Sequence, residues 1–108
     1  MLTIENIKNI EGKELQMSSG QKYIIGIVRA YYDHYSFGVF PLVENNVASL
    51  KDAIIYKLYK DKSNERGYPM IVSKMNRIAY VKPENLTMDN FILELHIQTS
   101  ILCSQSKT

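Results

Sequence analysis

The sequence predicts an α+β domain: a strongly bent, mostly antiparallel sheet of five or six strands closing toward an SH3-like barrel, with an amphipathic helix at the C-terminal end. Three observations predict it. Eight Tyr, no Trp and many Ile lean the composition toward strands, because aromatic and β-branched side chains suit a pleated, half-buried surface. Two apolar runs, Ile24-Ile25 with Ile27-Val28 and Val39-Phe40 with Leu42-Val43, flank a polar, aromatic connection. Met88, Phe91, Ile92, Leu95, Thr99 and Leu102 recur on one helical face. An open sheet with two helices, the second over 49–60, is the alternative.

At the N-terminus, Ile4, Ile7 and Ile10 recur at helical spacing behind Thr3, whose hydroxyl suits a cap, and Gly12 stops the turn. Glu14 to Met17 alternates polar and apolar residues, Ser18-Ser19-Gly20 supplies a turn, and Tyr23 to Val28 returns as a hairpin partner. After the second apolar run, Glu44-Asn45-Asn46 breaks the pattern. In Asp52 to Lys60, Ile54, Tyr56, Leu58 and Lys60 alternate with Ile55, Lys57 and Tyr59, which predicts a strand with one solvated face, a helix being the competing reading.

Asp61 to Pro69 is a loop by its Ser, Asn, Gly and Pro content. Met70-Ile71-Val72 and Arg77 to Val81 predict two strands, or one long strand bulged near Ser73 to Asn76, and Pro83 ends the ladder. Thr87 caps a helix from Met88 to Cys103, with Asp89 at its positive end. Leu93, Ile97 and Ile101 widen the apolar arc of that helix, which predicts burial against both the sheet and a second subunit. The alternative is a helix packed wholly within one domain.

A chain of 108 residues makes one domain, residues 1–108. Its net charge of +2 does not by itself call for a polyanion, but the charge is uneven: residues 51–84 hold eight Lys/Arg against four Asp/Glu. The single cysteine, Cys103, excludes an internal disulfide framework and a multi-cysteine metal site, and reads as a buried structural thiol. No basic-then-apolar leader opens the sequence and no apolar run nears the ~20 residues of a membrane span, so a cytoplasmic protein is expected.

Metal ligation is not indicated, since His34 and His96 are far apart and no ligand spacing falls on one element; no cofactor is expected. Ser36 lacks a nucleophile-elbow context, and no phosphate-binding glycine loop exists. What remains is the cluster Arg29, Asp33 and His34 with Tyr31, Tyr32 and Tyr35. A histidine beside an arginine suits metal-free phosphodiester cleavage by a neighbouring 2′-hydroxyl, with His34 as base and Arg29 as charge stabiliser. The tyrosines suit stacking on unpaired bases, and Lys57, Lys60, Lys62, Arg66, Lys74 and Arg77 suit the phosphates of a strand. The plainer reading is a turn whose tyrosines cover the sheet edge and whose charges are solvated.

Three stretches carry a family resemblance. Gly20-Gln21-Lys22-Tyr23-Ile24-Ile25-Gly26-Ile27-Val28, Val39-Phe40-Pro41-Leu42-Val43-Glu44 and Asn76-Arg77-Ile78-Ala79-Tyr80-Val81-Lys82-Pro83-Glu84-Asn85-Leu86 resemble, in that order, segments of the MazF/PemK toxins, small endoribonucleases of bacterial toxin–antitoxin systems. Lys22 falls at the family's basic position, with Tyr23 in place of its proline. Gly12-Lys13-Glu14-Leu15 is similar to its opening strand. The resemblance implies an endoribonuclease that acts on single-stranded RNA, pairs with an antitoxin protein and forms a homodimer. The family cleaves with an Arg in the loop after the first apolar strand and a Thr or Ser ending the next; here His34 lies near the Arg position, and Val43 and Glu44 hold the hydroxyl positions. The candidate site is therefore His34 and Arg29 for catalysis, with Lys22, Tyr32, Tyr35, Lys57 and Arg77 for nucleic-acid contact. A nucleic-acid-binding or regulatory protein without catalysis, and a module that binds another protein at a sheet edge, are the alternatives.

Overall fold

A computed structural model describes residues 4–44, 46–47, 52–63, 65–74 and 77–105. After a kinked 3₁₀ segment, Ile4–Ile10, come strands β1 (Glu14–Gln16), β2 (Lys22–Ala30), β3 (His34–Val43), β4 (Asn46–Val47), β5 (Ile54–Tyr59), β6 (Tyr68–Val72) and β7 (Arg77–Val81). A 3₁₀ turn, Pro83–Asn85, leads into helix α1 (Met88–Gln105). The sheet is antiparallel in the order β1-β2-β3-β5-β6-β7, with two-residue β4 pairing only the end of β3. It curls into a half-barrel with α1 across its concave face, so the α+β expectation holds.

Alternation along the strands gives the sheet one apolar face. Tyr35, Phe37 and Val39 of β3, Ile54, Tyr56 and Leu58 of β5, and Met70 and Val72 of β6 are all buried on the concave face. That face is closed by Ile7 and Ile10 of the 3₁₀ segment and by Phe91 and Leu95 of α1, each with no exposed surface. Phe37 stacks on Tyr56 at 5.3 Å and meets the edge of Phe91 at 6.2 Å, ring geometries that add about 0.5–1.5 kcal/mol per pair beyond their burial. Polar tips inside the core find partners: Tyr56 Oη lies 2.9 Å from Thr99 Oγ1. His96 fixes the helix to the sheet edge, its Nε2–H donating to the Gln16 carbonyl at 2.8 Å. Thr87 caps α1 as its residue type predicts, with Oγ1 accepting from the Asn90 amide at 3.2 Å.

Several expectations are corrected. The polar, aromatic connection between the runs ending at Val28 and beginning at Val39 is mostly strand: β2 runs on to Ala30 and β3 begins at His34, leaving Tyr31-Tyr32-Asp33 as the turn. Residues 54–59 form a strand, so the two-helix alternative falls. β6 and β7 pair antiparallel from Val72↔Arg77 to Tyr68↔Val81 and are a hairpin, not one bulged strand. Gly67 makes the entry to β6 possible: its φ is +112°, and a Cβ there would collide with the Val81 backbone. The Thr3 cap and the surroundings of the Cys103 thiol lie outside the described residues. No helix among the described residues is long and apolar enough to cross a membrane.

Candidate functional site

The convex face of β2, β3 and β5 is the face α1 leaves uncovered, and strand register decides what stands on it. Arg29 pairs Ser36, and Ser36 pairs Lys57, so these three form one row across three strands. One step toward the β2–β3 turn, His34 pairs Tyr59. Arg29 and Lys57 are exposed, while Ser36, His34 and Tyr59 are partly covered. The outward positions of β2, β3 and β5 (Lys22, Ile24, Gly26, Arg29; His34, Ser36, Gly38, Phe40, Leu42; Ile55, Lys57, Tyr59) include no carboxylate.

At the turn, the His34 ring stacks on Tyr31 at 4.8 Å and 16° and leans on Tyr59 at 5.5 Å. The Tyr31 amide donates to the His34 carbonyl at 2.8 Å, and the Lys60 amide to the Asp33 carbonyl at 3.0 Å, which ties the turn to the end of β5. His34 Nδ1–H donates to Asp33 Oδ1 at 2.7 Å. Because that carboxylate accepts at Nδ1, the neutral imidazole carries its lone pair on Nε2, the arrangement that suits a general base. The His34 hydrogen bond, chiefly, holds the Asp33 carboxyl below the usual aspartate range.

The structure divides the residues the sequence singled out. His34, Arg29 and Lys57 share one end of the convex face, and Tyr32 is fully exposed at the turn beside them. Tyr35 is a correction: it alternates with His34 and Ser36, so it enters the core at 8% exposure and offers no ring to a base. Lys60 Nζ sits 4.8 Å above its ring. Lys22 is at the far end of β2, roughly 20 Å from Arg29 at the rise of a strand. There it lines a shallow depression with Ser19, Gly20, Gln21, Leu42 and Glu44. Val43 and Glu44 are exposed at the opposite end of β3 from His34. The backbone of Arg77 pairs Val72, and its side chain lies outside the described residues. Among the basic residues of the later loops, Arg66 lies 5.5 Å from the Tyr80 ring.

Ser36 and Tyr59 were missed as members of the site. Their signal is alternation: once β3 is begun at His34, Ser36 shares its face, and Lys57 and Tyr59 are the outward positions of β5. Among the described residues no three of His, Cys, Asp and Glu gather closely enough to hold a metal ion. Compared with models of protein families, with curated proteins and with solved structures, the chain finds no match.

Proposed function

We propose that the chain binds single-stranded RNA on the convex face of β2, β3 and β5. The observation that carries this reading is the register that aligns Arg29, Ser36 and Lys57 beside His34 and Tyr59 on a face free of carboxylates. Cations of this kind meet phosphates, and the half-exposed Tyr31 and fully exposed Tyr32 offer ring faces to unpaired bases. The nearby Asp33 carboxylate is engaged by His34, which lessens its repulsion of phosphate. Fluorescence anisotropy with a labelled single-stranded oligoribonucleotide should give saturable binding that weakens steeply with salt, because phosphate contacts release counterions. Absence of saturable binding at low salt contradicts the reading.

A second reading, metal-independent cleavage of the bound strand, is favoured by the Asp33–His34 hydrogen bond. The ribose 2′-oxygen would give its proton to His34 and attack the adjacent phosphorus, and the 5′-oxygen would leave with a proton from solvent. Arg29 would counter the charge of the pentavalent phosphate. The resemblance to MazF/PemK toxins implies the same reaction class but not the same residues, since Val43 and Glu44 replace the family's hydroxyls, and with the resemblance come an antitoxin partner and a homodimer. Support for the homodimer is the pair Leu93 and Ile97, one helical turn apart on α1 and 55% and 45% exposed. Light scattering at micromolar concentration should then report twice the 12.5 kDa chain, and a monomer removes that part of the proposal.

A further inference from the structure

The row that carries the proposed RNA contact depends on an irregularity in β2. From Lys22↔Leu42 to Gly26↔Gly38 the pairing with β3 is regular, and Ile24 and Gly26 stand on the convex side while Tyr23 and Ile25 are buried. Continued without interruption, that register would put Val28 opposite Ser36 on the convex face and Arg29 opposite Tyr35 in the core. Instead the pairing resumes at Arg29↔Ser36, one residue late. The extra residue reverses the alternation, so Val28 is buried and Arg29 is exposed.

The irregularity is held from outside the hairpin. Ile27 has φ +56°, a left-handed conformation that a β-branched residue rarely adopts, so something must over-determine it. The Val28 amide donates to Glu11 Oε2 at 3.2 Å. Two backbone bonds fix the segment that carries Glu11: the Gly12 amide donates to the Ile25 carbonyl at 2.8 Å, and the Ile25 amide donates to the Lys13 carbonyl at 2.9 Å. Glu11 is thereby docked against the bulge, and its carboxylate supplies an acceptor for the Val28 amide.

We infer that Arg29, Ser36 and Lys57 form a seat for one phosphate group, and that Glu11 is the positioning residue that keeps Arg29 in it. The inference rests on the reading of this face as the one that meets RNA. Adjacent strands lie about 4.8 Å apart, so Arg29 and Lys57 flank Ser36 at a separation their long side chains can close over an anion above the hydroxyl. A guanidinium, an ammonium and a hydroxyl converging from three strands match the acceptor oxygens of a phosphate. Beyond Lys57 the same row continues through Ile71 and the exposed Ile78, so the cationic part ends at β5.

Titration of the isotope-labelled full chain with inorganic phosphate tests this. The amides of Arg29, Ser36 and Lys57 should shift saturably and together. Arg29→Ala and Lys57→Ala should each weaken phosphate by about tenfold, the scale of one charge-assisted contact. Glu11→Ala should weaken it to a similar extent, while Glu11→Gln, whose amide oxygen also accepts from Val28, should restore it with the fold of both variants checked by their amide spectra. Phosphate shifts confined to other residues, such as those around Lys22, would overturn the seat. Unchanged phosphate affinity in a folded Glu11→Ala would overturn the positioning role. An oligoribonucleotide that binds this face with no phosphate seated on the row would refute the seat alone; phosphate seated with no RNA binding would refute the RNA reading alone.

Discussion

Tyr56 Oη and Thr99 Oγ1 lie 2.9 Å apart in the centre of the molecule, joining β5 to α1 through two side chains with no exposed surface. Removing either hydroxyl deletes a buried hydrogen bond between sheet and helix, a loss on the order of 1 kcal/mol or more. Tyr56→Phe and Thr99→Val should each lower unfolding stability by about 1–2 kcal/mol. In urea titrations the double variant should lose less than the two single losses together, by about 1 kcal/mol. Simple additivity would show that this contact does not couple the helix to the sheet.

The Asp33–His34 bond makes a prediction about acid. The Asp33 carboxyl is lowered from its ordinary value chiefly by the His34 hydrogen bond. Its contribution to stability is therefore fully present above the unfolded value of about 3.9 and is lost as pH falls through the lower folded value. Because Asp33 is exposed, the energetic consequence is small and the titration itself is the better readout. Carbon-detected NMR should place the Asp33 midpoint below that of a free aspartate, and His34→Ala should move it back up. A midpoint indifferent to His34→Ala would contradict the assigned cause.

If the protein cleaves RNA, the Nε2 lone pair of His34 is the group placed to take the 2′-proton. His34→Ala should lower the cleavage rate about a hundredfold or more while leaving affinity for an uncleavable 2′-deoxy strand nearly unchanged. Asp33→Asn, which removes the carboxylate that fixes the tautomer, should act in the same direction with a smaller loss. Cleavage at the parent rate by His34→Ala excludes the residue as base.

The parts of this fold that could be read in advance are those where period and chemistry agree. Ile54, Tyr56 and Leu58 alternate without interruption, and β5 follows; Thr87 stands one residue before an apolar helical face, and it caps α1. The β2–β3 turn was hidden because Tyr31-Tyr32-Asp33 lacks the Gly or Asn that marks most tight hairpins, and because charged residues extend into both strands. The face on which Arg29 stands was hidden for a different reason. Strict alternation from Tyr23 and Ile25 puts it in the core, and the reversal is made at Ile27, a residue type that gives no sign of a left-handed backbone. Its stabilising partner, Glu11, is distant in sequence, so only tertiary structure brings the two together.

If RNA meets the convex face through the Arg29–Ser36–Lys57 row, reversing the charges on that row removes the binding. The variant Arg29→Glu with Lys57→Glu changes two exposed positions, so its amide spectrum should remain that of a folded chain. In anisotropy titrations at fixed low salt, the parent should bind a single-stranded oligoribonucleotide saturably and the variant should lose more than about a hundredfold in affinity, the product of two lost phosphate contacts. Lys22→Glu, at the far end of β2, should cost much less. A folded double variant that binds as tightly as the parent, or a loss that follows Lys22 instead, would show that RNA does not meet this row.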